Sequence, residues 1–178
     1  SEAVRWSPRQ NRVWKPVICA VQGLCVGGGL HFVVDADIVV ASRNAAFMDT
    51  HVNVGMVGAL ENVGLARRLP LGSALRMTLQ GRDFRMPAER AYQLGLVNAL
   101  VAREAVLDEA LARARLLAER PPHAIRVTKQ RMRELTQAQF DDILVAAKRY
   151  QRLAYESGEP QRTMPRPMQA MQKGKKRS

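Results

Sequence analysis

Several things are scarce in this chain at once. It has two cysteines in 178 residues, Cys19 and Cys25, set in apolar surroundings on either side of a Gln-Gly pair. Without CxxC spacing or a partner cluster they exclude a disulfide framework and a cysteine-based metal site, and they read as buried, reduced thiols. No window holds the run of about eighteen apolar residues that a membrane span needs, and "SEAVRWSPRQNRVWKP" lacks the apolar core of a signal peptide. The expectation is a cytoplasmic protein without a membrane partner.

Acidic residues are also in the minority, 16 Asp+Glu against 28 Lys+Arg, for a formal net charge of +12. The surplus sits mostly at the ends, in Arg5, Arg9, Arg12 and Lys15 and in Arg162, Arg166, Lys173, Lys175, Lys176 and Arg177. No RNA-recognition motif occurs, and no aromatic residue is interleaved with the basic ones of the tail, so nucleic acid is not the expected partner. Residues 159–178 read as a basic disordered tail.

What is present is an ordinary globular composition, 47% hydrophobic and 25% charged, with no repeat or internal linker, and it predicts one domain with a real core. "PVICAVQG" has the pattern of a strand covered on both faces, "GGLHFVVDAD" that of a helix with Leu30, Val33 and Val34 on one side, and "IVVAS" (Ile38 to Ser42) that of a second strand. Strand, helix and strand this close predict an α/β crossover with a site at the strand ends. The glycine-rich stretch from Asn44 reads as loop that turns helical near Glu61. Helices follow, one closed by Gly81 and one by Gly95, with an extended "LVNALV" after them. Three more helices fill the remainder, the first with Val106, Leu107, Ala110, Leu111, Ala114 and Leu117 on one face. In the last, Phe140, Ile143, Leu144, Ala147, Tyr150 and Ala154 share a face.

Gly27, Gly28 and Gly29 stand directly before a helix. Glycine there permits positive φ and close backbone approach, and the first N–H groups of a helix have no internal partner, so they suit an anion or a developing oxyanion. The bland alternative is tight packing of helix on strand. Neither GxGxxG nor a P-loop fits the spacing, which argues against nucleotide binding.

"KPVICAVQGLCVGGGLHFVVDADIVVASRNAAF", then "VNVG", then "RRLPLGSALRMTLQGRDFRMPAERAYQLGLVNALV" together resemble the crotonase superfamily, the enoyl-CoA hydratase/isomerase-like proteins, from about Lys15 to the helix near Leu135. The resemblance implies a crotonase-like ββα spiral, with residues 1–102 as the C-terminal part of its core and 103–158 as a helical oligomerisation region that forms trimers or hexamers. It also implies an acyl-CoA substrate of the kind met in fatty acid metabolism, no cofactor beyond the coenzyme A of that substrate, and no metal. An oxyanion hole would hold the thioester, with Gly28 supplying one N–H and Gly27 beside it. The second donor belongs to an earlier segment that this chain does not contain, so a longer natural protein is expected.

Two glutamates of the hydratases are replaced here, by His31 and His51. Histidine can serve as acid or base, since its unperturbed pKa is about 6.5; hydration in the usual form is nevertheless in question. Glu61, ten residues after His51, makes a second pattern, the His–carboxylate dyad of crotonase-like enzymes that hydrolyse C–C bonds. Simpler readings remain: His31 as a packing residue, Glu61 as a solvated acid at a helix start, with Asp49 a weaker substitute for it, and Asp35 and Asp37 as structural. A non-catalytic acyl-CoA-binding or RNA-binding protein is the third alternative.

Overall fold

The apolar run after Pro16 forms β1 (Ile18–Val21), and Gln22-Gly23 breaks it before a second strand, β2 (Leu24–Val26). In this computed structural model, which describes residues 5–134 and 137–163, Gly27–Gly29 then make one 3-10 turn and lead directly into α1 (Leu30–Asp35). β3 (Ile38–Ser42) lies parallel to β1, with Ile18 opposite Ile38 and Val21 opposite Ala41. The predicted strand–helix–strand crossover is present.

The next turn repeats the first. β4 (Ala46–Met48) pairs in parallel with β2, and α2 (Leu60–Arg68) follows as α1 followed β2. Successive ββα units therefore stack strand on strand, which is the spiral architecture, and the chain alternates between two three-stranded sheets, one holding β1 and β3 and the other β2 and β4. β5 (Met86–Pro87) closes the second sheet antiparallel to β4, and β6 (Ala99–Val101) closes the first parallel to β3. The sequence reading did not anticipate β2, β4 or β5. At two or three residues each they are too short to display an alternating pattern, and neighbours in the sheet create them.

One core lies between the sheets and helices. Leu30, Val33 and Val34 point into it from α1, with Val39 and Ala41 from β3, Phe47 from β4 and Leu65 from α2. α1 meets α2 at Gly64, where a Cβ would stand 2.5 Å from the Val34 Cβ; only glycine allows that approach. α3 (Leu71–Gln80) is closed by Gly81 at φ +60°, and α4 (Ala88–Gln93) is followed by Gly95 at φ +82°, both stops the sequence predicts.

Asp35 and Asp37 are structural, as expected. Asp35 binds the Arg9 guanidinium and accepts its backbone N–H, while Asp37 accepts the N–H of Val17 and pairs with Lys129 and Arg133. Arg68 donates to the carbonyls of Val33, Ala36 and Leu96, satisfying the carboxyl end of α1.

Beyond Val101 the described residues are helical: a 3-10 turn, α5 (Val106–Ala118), α6 (Pro122–Glu134), α7 (Gln137–Glu156) and α8 (Glu159–Thr163). α5 buries Val106 and Ala110 next to Val40 and leaves Leu107 and Leu111 exposed. α7 turns a different edge inward than the sequence suggests. Leu144 and Ala147 pack on Leu60 and Val63 of α2, whereas Ile143 and Tyr150 are exposed; Phe140 lies outside the described side chains. The tail expectation also needs correcting at its start. Residues 159–163 form α8, with Pro160 buried and seated close to Gly55, and 164–178 lie outside the described residues.

Candidate functional site

Three short elements converge around two imidazoles. His31 is the second residue of α1, Glu61 the second residue of α2, and His51 opens a 3-10 turn (His51–Val54) just after β4. That α1 and α2 pack together through Gly64 brings the starts of both helices into one place, and the parallel pairing of β2 with β4 delivers His51 to them.

Glu61, which is almost wholly buried, bridges the histidines. Its Oε1 is 3.0 Å from His51 Nε2 and its Oε2 is 3.1 Å from His31 Nε2. The other ring nitrogen of His51 is also engaged: Nδ1 lies 2.5 Å from Asp49 Oδ1, and the same oxygen accepts the backbone N–H of His51 at 3.1 Å. Asp49 is 1% exposed at its side chain. The four side chains thus form a continuous row, Asp49, His51, Glu61, His31. It ends on His31 Nδ1, a buried atom without a hydrogen-bond partner among the described residues.

The row is strongly polarised. Burial disfavours an imidazolium at His51, but the hydrogen bonds it donates to Asp49 and Glu61, together with their charges, outweigh it and lift its pKa to about 10. For Glu61 burial works against the carboxylate, and the His51 hydrogen bond, its own backbone N–H and the two nearby imidazoles hold its pKa below the usual value. At neutral pH the centre of the row is an ion pair. Its nitrogens and oxygens touch directly, leaving no room for a cation between them, and no group of three or more His, Cys, Asp or Glu among the described residues has metal-binding geometry.

The glycine run has a separate reason at each position. Gly27 has φ +51°, a value that disfavours any side chain, and a Cβ on Gly29 would sit 3.2 Å from the Cys25 sulfur. A Cβ on Gly28 would meet nothing within 4 Å, so that position faces open space. The Leu30 N–H turns back to the carbonyls of Gly27 and Gly28, whereas the N–H groups of Gly27 and Gly28 open the turn and have no partner inside it.

The structure therefore unites His31, His51 and Glu61 and places Gly27 and Gly28 on the turn leading into the helix that bears His31. It also adds Asp49, to which the sequence reading gave too small a part. The signal was there: an Asp two residues before a His is an Asx-turn spacing, and here the turn fixes the ring as well as the backbone. Both cysteines are free and partly buried. Burial raises the thiol pKa of each, that of Cys25 to about 12 with Cys19 adding to it, so neither is a nucleophile at neutral pH. A groove of about 790 Å³ lies elsewhere, between β1, α5 and α6, and none of the site residues lines it.

A model of the enoyl-CoA hydratase/isomerase family matches residues 7–165. Among curated relatives, the (E)-benzylidenesuccinyl-CoA hydratase of Thauera aromatica is 37% identical over 120 residues, covering 67% of this chain and 46% of its own. The 1,2-epoxyphenylacetyl-CoA isomerase of Escherichia coli is 32% identical over 151 residues, 85% of this chain and 57% of its own. The chain spans about half the length of the curated relatives it matches. A solved enoyl-CoA hydratase from Mycobacterium smegmatis superposes with a TM-score of 0.79 at 32% identity, over 85% of this chain and 68% of that one.

Proposed function

The chain belongs to the enoyl-CoA hydratase/isomerase family, and from that premise we propose that it is part of an enzyme that acts on an acyl-CoA thioester through an enolate. One observation carries the reading. An unobstructed glycine on the turn before α1 lies three residues ahead of a histidine that is wired to a buried His–carboxylate pair. In this reading the Gly28 N–H stabilises the thioester oxygen as negative charge develops on it, Gly27 lets the backbone reach that position, and the histidine–carboxylate row moves the proton. Coenzyme A enters as part of the substrate, and no other cofactor is called for. The curated relatives act as hydratases, an isomerase and a dehydratase by name, and enolate formation is compatible with all three outcomes. We extend the reading to a homotrimer or hexamer built through the helical region that begins at residue 103.

The C–C hydrolase alternative requires His51 to activate water through a ring lone pair. Both nitrogens of His51 are engaged by carboxylates, so the geometry favours enolate chemistry over that alternative, and no observation favours a non-catalytic or RNA-binding protein. The test is to incubate the chain with a saturated acyl-CoA in D2O and follow the α-carbon by mass spectrometry. Deuterium incorporation that exceeds the uncatalysed rate is the expected outcome. Measurable acyl-CoA binding without exchange would overturn the enolate reading, and absence of binding would overturn the substrate class.

A further inference from the structure

We infer that His51 is a standing cationic bridge, that Nδ1 of His31 is the atom of this site that takes and returns protons, and that Asp49 is the positioning residue behind both. As a statement about catalysis this rests on the acyl-CoA reading; as a statement about where the protons sit it does not.

Hydrogen-bond polarity fixes where the protons sit. Ionised carboxylates only accept, so a ring whose two nitrogens each contact a carboxylate oxygen, at 2.5 Å and 3.0 Å, carries a hydrogen on both. His51 is then an imidazolium with no lone pair to offer. The second oxygen of Glu61 also accepts, which requires the hydrogen of His31 to be on Nε2, 3.1 Å away. Neutral His31 consequently keeps its lone pair on Nδ1. That atom is buried and unpartnered, a state rare in folded proteins and costly unless it has a use.

The groups facing the rings are Asp49 from the end of β4, Glu61 from α2 and, beside His31, the indole of Trp6 at 6.1 Å between centroids. With His31 neutral, the row carries two carboxylates and one imidazolium; one further proton on Nδ1 makes it neutral overall. In the proposed reaction the Nδ1 lone pair takes an α-proton, the C–H electron pair becomes the enolate double bond, and the thioester oxygen takes the negative charge. Return of the same proton to carbon restores neutral His31. His51 contributes by occupying half of Glu61, so that the carboxylate orients His31 without holding it permanently as a cation.

The chain has three histidines, and the third, His123, is exposed on α6, which makes ring 15N NMR decisive. Long-range 1H–15N correlation from pH 5 to 10.5, assigned with His123→Gln, is expected to show one ring with both nitrogens protonated beyond pH 9. A second is expected with its hydrogen on Nε2 and a bare Nδ1 at pH 8. Asp49→Asn should bring the His51 titration down by at least about one pH unit, and Asp49→Glu should keep it high. A His51 ring that titrates between pH 6 and 7 in the unmodified chain, or a His31 with its hydrogen on Nδ1, overturns the assignment. An unchanged His51 in Asp49→Asn removes Asp49 from its role. No substrate is involved, so a correct ring assignment with no α-proton exchange would count against the proposed function alone.

Discussion

His51 ties the chemistry of the site to the stability of the fold. In the folded chain it stays protonated until about pH 10, whereas an unfolded histidine releases its proton near 6.5. Between those values the native state binds more protons than the unfolded one, so unfolding becomes easier as pH rises, and the contribution, complete below 6.5, is gone above 10. Glu61 works in the opposite sense, its lowered pKa adding stability that is lost when acid protonates it. Urea midpoints measured from pH 6 to 10 are expected to fall steeply for the unmodified chain and less for His51→Gln; equal slopes would show that the row has no such linkage. At this scale the sequence was informative about identity and weak on partnership. The family resemblance suggested pairing His51 with Glu61, but the contact between Glu61 and His31, thirty positions apart, depends on how two helices pack.

Among the elements, the α1–α2 crossing has the least tolerance. Gly64 admits Val34 at a distance no other residue permits, and the two helices carry His31 and Glu61 at their starts. Gly64→Ala is expected to cost about 1–3 kcal/mol, the range for forcing extra volume into a packed core, read from chemical denaturation. It should also disturb the site, because the helix starts would have to part. An unchanged denaturation midpoint would mean that the helices separate there without penalty. Helix limits were readable because Pro70, Gly81 and Gly95 punctuate the chain chemically. β2, β4 and β5 were not, since strands this short exist only as partners of one another. The inward edge of α7 was misjudged for a related reason: its apolar residues cover more than one face, and only the position of α2 selects Leu144 and Ala147.

Seen whole, the molecule leaves much apolar surface uncovered. β1 and β2 stand at the outer edges of their sheets, and Leu107, Leu111 and Leu116 are exposed along α5. With a net charge of +12, self-repulsion opposes nonspecific association, so any assembly has to come from matched apolar faces. The proposed oligomer makes sedimentation velocity the measurement: a species of about three or six chain masses is expected, and Leu107→Glu with Leu111→Glu should shift it toward one. A monomer in the unmodified chain at tens of micromolar would remove the oligomer from the proposal. Composition could indicate the charge and the ordering of helices, but not which hydrophobic face remains without a neighbour.

α8 has a consequence for the order in which the protein becomes competent. It presses Glu159 and Pro160 against Gly55, which closes the 3-10 turn that His51 opens, and Gly55 takes φ +65° there. That contact joins positions about a hundred residues apart, a closure whose entropy is met only when most of the intervening chain has already folded. The turn that aims His51 at Glu61 is thus braced from behind by a segment about a hundred positions further along the chain. A chain that has not yet made this contact owns every residue of the site and lacks the brace behind its His51 turn.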